Sequence, residues 1–484
     1  MPRAISLAVL LLITLAAADS PARADVVEAR AELYADYAAK LAELSARCAE
    51  QKLDDAVETL NSWLPPREPG QLTLFLVPPG ETASDKDPAQ TPEWRTRWQA
   101  LRNAQADALM ALAKRAVSEH RLSMVYELVV EALRENPDQE QARRMLGYTR
   151  FSGGWHTPFE IRQLRAGKAW HDKFGWLAKT HVERYENGER FALGRWMSRD
   201  DEAALRRDLV RGWRVETEHY LVTTNHSLEA GVALVRRLET LFGIWQQVFA
   251  PYLADEAEIK RRFEGRAPVR LPRQHDVVYY RTRAEYNDAL RASQPKIDIT
   301  LGIYFDSTRT AYFFAGEEQQ PGTLFHEATH QLFQETRKVA PRVARDDNFW
   351  IVEGIACYME SLAERDGYWT TGGMNAGRVP AARHRLLVDD FYVPLAELVT
   401  LGMESLQQDE RIAMLYSQSA GLADFLMHAE RGRYRDALAR YLAALYTGRA
   451  TPATLAEMTG TSYDVLDRQY RAFMSAGETA VKPF

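Results

Sequence analysis

His326-Glu327-Ala328-Thr329-His330 is the stretch of this chain whose residue types and spacing could do chemistry. Residues four apart on a helix lie one above the other, so both imidazoles point the same way. Two neutral imidazoles so placed can converge on one Zn2+, with Glu327 at the next position round. A metal held there polarises a carbonyl and lowers the pKa of a water toward ~7, and Glu327 stands where it can take that water's proton. With 11 histidines in 484 residues, the pattern arises by chance on the order of 0.02 times per chain, so coincidence is a poor account of it. Leu324, Phe325, Leu332 and Phe333 flank the motif and would bury its helix.

A catalytic zinc site needs a third protein ligand and an open position. The metzincin arrangement puts Gly at 333 and His at 336; this chain has Phe333 and Thr336, which excludes it. Farther on comes Trp350-Ile351-Val352-Glu353-Gly354-Ile355-Ala356-Cys357-Tyr358-Met359-Glu360. Here the sequence resembles the gluzincin metallopeptidases, whose second helix carries a glutamate ligand in a Trp-x-x-Glu-Gly-x-Ala-x-Tyr-x-Glu setting. Every defined position of that setting is filled. The resemblance implies that Glu353 is the third ligand, that the cofactor is Zn2+ and that the substrate is a peptide or protein. It spans roughly residues 215 to 474 and is specific between Thr323 and Ser361. The gap to the third ligand is longer than in compact members of the family, and Arg337 to Asp347 reads as a polar loop that could restrict access.

Gly354 and Ala356 are small enough to let the second helix approach the motif helix, and Asp346, Asp347 or Asn348 can cap it. Glu360, two turns after Glu353, either orients a ligand imidazole or stands in solvent. Family members also hold substrate against an edge strand before the motif helix, a place that Arg309 to Phe314 takes here. They often supply a later Tyr or His to stabilise the oxyanion. Tyr416 and His384 are the candidates, with core packing the alternative for Tyr416 and a solvated loop for His384.

The elements that must position these residues follow from periodicity. Val26 to Trp63 is helical, with Leu33, Tyr37, Leu41, Leu44 and Cys48 on one stripe. Cys48 on that stripe and Cys357 on the ligand helix are expected to be packed and unpaired. Pro65 to Thr91 reads mainly as a surface loop with a short strand at Leu72 to Val77. Helices return over Glu93 to Tyr148, ending in a segment that resembles part of a tetratricopeptide-type hairpin, although too few copies are present for an array. Residues 151–214 form a Trp-rich bridge containing Trp155, Trp170, Trp176, Trp196 and Trp213, which reads as packing in preference to a glycan platform. After Val215, strands at His219–Thr224 and His275–Arg281, a helix at Leu228–Phe249 and a hairpin turned at Asp306-Ser307-Thr308 precede the motif helix, for which Thr323 is the expected N-cap after a break at Pro321-Gly322. The fold class is therefore α+β and predominantly helical: a signal peptide over 1–24, helices over 25–150, the bridge over 151–214 and a gluzincin-like domain over 215–480.

Arg3, the apolar run Ala4 to Ala18 and Ala22-Arg23-Ala24 have the form of a bacterial export signal. The expected compartment is periplasmic or secreted, and removal of Arg3, Asp19 and Arg23 takes the formal charge from −6 to −7. Lys+Arg 61 against Asp+Glu 67 speaks against a nucleic-acid partner, and no other run is long enough for a membrane span. The N-terminal helices could take a protein partner. The rival reading is a cell-envelope binding or scaffold protein with an inactive or structural metal site.

Overall fold

The N-terminal helix Val26–Glu50 starts where the Asp25 side chain accepts from the N–H groups of Val27 and Glu28, and it buries Tyr37, Leu41, Leu44 and Cys48. The computed structural model describes residues 25–80, 91–266, 273–318 and 320–476. The expected signal peptide, residues 1–24, lies outside them. Helix Val26–Glu50 packs on Asp54–Ser62 and on Glu93–Ser118, and Val125–Glu135 completes this helical part. The next helix, Glu140–Met145, has six residues, too short for a second tetratricopeptide helix. The stretch expected mainly as loop is tied down. Leu72–Leu74 pairs antiparallel with Trp369–Thr371, and Leu74 and Phe75 are buried. Its partner lies so far along the chain that no local pattern could reveal the pairing.

The Trp-rich bridge is a threefold repeat that its composition alone did not suggest. Three β-hairpins, Thr149–Phe151 with Gly154–His156, Lys168–His171 with Gly175–Ala178, and Glu189–Ala192 with Arg195–Ser198, are each followed by a short helix. Trp155, Trp176 and Trp196 each occupy the second position of the second strand. Their near-equal spacing was the signal available in the sequence. These rings pack: Trp176 meets Trp170 and Phe159 edge-on, Trp196 meets Phe191, and the Trp155 Nε1 donates to Asp138.

The central sheet runs in the order Ile303–Phe305, Thr310–Phe314, His275–Tyr280, Tyr220–Thr224, Trp213–Glu216, with the three inner strands parallel to one another. Helix Leu228–Val248 crosses over between the first two parallel strands and buries its apolar face on the sheet. The expected hairpin is present, but the edge strand is Ile303–Phe305. The segment expected at the edge, Arg309 to Phe314, is one strand further in.

The motif helix, Pro321–Glu335, follows the strand Thr310–Phe314. Its start corrects the expected N-cap at Thr323. Pro321 opens the helix instead of breaking the chain, because the first turn has no use for the N–H that proline lacks, and Gln320 is the N-cap. Leu324, Phe325, Ala328, Leu332 and Phe333 are buried, with Phe333 edge-on to Trp245 at 5.1 Å. At its far end Glu335 pairs with His275 at 2.9 Å, and Gln331 donates to the Asp276 carbonyl at 3.0 Å. The helix is thereby held to the sheet at both its apolar face and its C-terminal end.

The ligand helix, Phe349–Met359, is buried along its whole length. Asn348 precedes it in the left-handed conformation, φ 58°, which asparagine tolerates better than most residues. No side chain caps the helix, contrary to expectation; the Asn348 N–H donates to the Val399 carbonyl, and its Oδ1 accepts from the Tyr441 hydroxyl. Gly354 does serve close approach, but not toward the motif helix. A Cβ there would lie 2.7 Å from the Ser419 carbonyl oxygen, on helix Ile412–Gly432.

Candidate metal centre

The two helices bring His326, His330 and Glu353 to one point. His326 Nε2 lies 3.1 Å from His330 Nε2 and 3.4 Å from Glu353 Oε2, and His330 Nε2 lies 3.8 Å from the same oxygen. A triangle with these sides has a point about 2.0 Å from each corner, the distance at which zinc binds imidazole nitrogen and carboxylate oxygen. Side-chain exposures of 11, 17 and 9 % leave the three atoms largely out of water. Two ring nitrogens and one carboxylate oxygen converging in a desolvated space suit a divalent cation, so these groups could hold a metal ion.

His326 is aimed by its other nitrogen. Nδ1 lies 2.7 Å from Glu360 Oε1, and Glu360 is itself gripped by Arg378 through two bonds of 2.8 Å. Of the two placements open to Glu360, the orienting one is found. Arg378 was not singled out from the sequence; its role depends on a turn at Gly377-Arg378 that only folding brings back onto the ligand helix. Cys357 also lies near His326 and Glu360. It is buried and free, as is Cys48, so the expectation of two unpaired, packed cysteines holds.

Glu327 faces the edge strand, where its Oε2 accepts from the Tyr304 N–H at 3.0 Å. Burial foremost, with Glu353 nearby, pushes its carboxyl up to about 7, against the opposing pull of His326. Burial pulls His330 down to about 4, so it is neutral near pH 7 and free to bind a metal. Burial works against ionisation of Glu353, but His330, His326 and the Tyr416 hydroxyl together hold its carboxyl below the ordinary range.

Tyr416 stands beside the centre, near enough to Glu353 for each to act on the other's ionisation, with its ring 5.9 Å from the Arg378 guanidinium carbon. Burial first, then the charge of Glu353, raises its hydroxyl well above the usual tyrosine range, so it is a donor at any ordinary pH. His384 does not join it. It is 64 % exposed on helix Val379–Leu387, beside Asp389; that it is solvated was expected, that it is helical was not. No protein-family model, no curated protein and no solved structure matches this chain.

Proposed function

We propose that the protein is an exported, zinc-dependent peptidase that hydrolyses peptide bonds with an activated water. The observation that carries the reading is the convergence of His326 Nε2, His330 Nε2 and Glu353 Oε2 with a base of suitable pKa one residue away on the same helix. Zinc bound by these three residues would supply Lewis acidity toward a carbonyl and an acidified water. The chain's own residues do the rest. Glu327, held by the Tyr304 N–H, takes the proton of the attacking water and later returns it to the leaving amine. The edge strand Ile303–Phe305, beside Glu327, offers backbone groups along which an extended peptide can lie. Tyr416 donates to the developing oxyanion. No helix among the described residues is long and apolar enough to cross a membrane.

The test uses purified protein, metal analysis and a quenched-fluorescent peptide library. Wild type is expected to carry one zinc per chain and to cleave. Glu327→Gln is expected to keep the zinc and lose activity by about 10²–10⁴-fold. Full turnover in that variant overturns the mechanism. Stoichiometric zinc without cleavage of any peptide favours the binding-protein reading.

A further inference from the structure

A second site lies between the two ends of the chain, away from the metal centre. A cavity of about 290 Å³ is lined by the first helix (Val27, Arg30, Tyr34), by Arg67 to Thr73, by Arg121 to Glu127, and by the end of helix Ile412–Gly432 with Arg435 just beyond it. Five arginines face it: Arg30, Arg67, Arg121, Arg431 and Arg435. Two carboxylates answer them. Glu127 takes Arg30 at 3.1 Å and also Arg435, and Glu131 takes Arg67 at 2.5 Å and Arg30 at 3.7 Å. Of the other acids nearby, Glu430 takes Arg433, Glu119 takes Arg115 and the Val26 N–H, and the buried Asp436 accepts from the Ser123 N–H and hydroxyl.

Arg435 is paired with Glu127, so the guanidinium groups left without a carboxylate are those of Arg121 and Arg431. Arg435 is only 6 % exposed, yet its Nε is buried without a hydrogen bond, and so is the Nε of Arg121. Arg121 otherwise reaches only the Gly432 carbonyl, at 3.4 Å. Arg431 is exposed on the cavity's lining, and its side chain has no hydrogen-bond or ion-pair partner among the described residues. Buried guanidinium donors left unpaired are costly, and the group that satisfies them best is an oxyanion. The backbone supports the same conclusion: Glu430 and Arg431 take φ of 48° and 58° before Gly432 at 79°, a left-handed run that non-glycine residues rarely adopt. Glycine at 431 would relieve it, but would remove a guanidinium from the cavity.

We infer that this cavity binds a small oxyanion, a phosphate monoester or a di- or tricarboxylate, through Arg121 and Arg431, beside the Glu127-paired Arg435. The volume sits at the lower end of ligand pockets, which suits a compact anion and not a chain. The inference stands apart from the peptidase reading.

Calorimetric titration and thermal melts of the purified protein test it, with glycerol 3-phosphate and citrate as probes and sodium chloride at matched ionic strength as control. Saturable one-to-one binding of either probe, with a rise in Tm that chloride does not produce, is expected; which probe binds identifies the source. Arg121→Gln and Arg431→Gly should each weaken binding at least tenfold. Arg431→Gly should leave the anion-free Tm unlowered, which separates lost binding from lost folding. Arg433→Gln, paired with Glu430 outside the cavity, should leave affinity unchanged. No response beyond chloride, or equal affinity in Arg121→Gln, Arg431→Gly and wild type, overturns the assignment.

Discussion

Glu360 Oε1 lies 2.7 Å from His326 Nδ1, so the carboxylate that ends the ligand helix aims a ring carried by the motif helix. A carboxylate at Nδ1 favours a proton there, which would leave the Nε2 lone pair to a metal once one is bound. Glu360→Ala should lower zinc affinity about 10–100-fold, and Glu360→Gln, which keeps the acceptor, much less. Competition against a fluorescent chelator measures both. Equal affinity in Glu360→Ala and wild type would remove the orienting role.

Tyr416→Phe discriminates catalysis from packing. Its hydroxyl stands near Glu353, and the ring is retained by phenylalanine. If it donates to the oxyanion, kcat falls about tenfold or more while KM and bound zinc stay near wild type. An unchanged kcat reduces Tyr416 to a packing residue.

Gly354→Ala tests the contact between the ligand helix and helix Ile412–Gly432. The new methyl would meet backbone, the Ser419 carbonyl oxygen at 2.7 Å, which cannot swing aside as a side chain can. Destabilisation of about 1–3 kcal/mol is expected from urea melts, with weaker zinc binding because Glu353 shifts with its helix. A variant as stable as wild type would show that the helices separate at little cost.

Asp424 should make stability fall as pH rises. It is fully buried, its Oδ2 has no partner, and burial pushes its carboxyl up to about 7. His428, 3.7 Å away, offers no compensating cation, since burial drops it to about 3. The folded chain therefore keeps a proton that the unfolded chain releases above its ordinary carboxylate pKa. The stabilisation is complete below that pKa and is lost as pH climbs through about 7, of the order of 4 kcal/mol at ~1.4 kcal/mol per unit. Asp424→Asn should remove most of this slope, raising Tm at pH 8 and leaving it nearly unchanged at pH 4. Parallel pH–Tm curves for the two proteins would contradict it.

What the sequence determined by itself is local in the chain. His326 and His330 share a face because a helix repeats every 3.6 residues, and Glu353 sits in a run apolar enough to require burial, so the three converging residues and the helices that bear them were legible. Four of the five strands of the sheet were legible for the same reason, to within a residue or two at their ends; the outer strand Trp213–Glu216 was not, and lay hidden at the end of the Trp-rich stretch. The threefold Trp unit was present as a spacing, but composition drew attention to the rings and away from their period. Tertiary structure alone decided the rest. It chose Ile303–Phe305 as the edge, gave Glu360 to His326 and Arg378 to Glu360, turned Gly354 toward Ser419, and gathered five arginines from both ends of the chain around one cavity. Each of these depends on pairing between residues remote in sequence. Periodicity says which face of an element is buried, and only packing says against what.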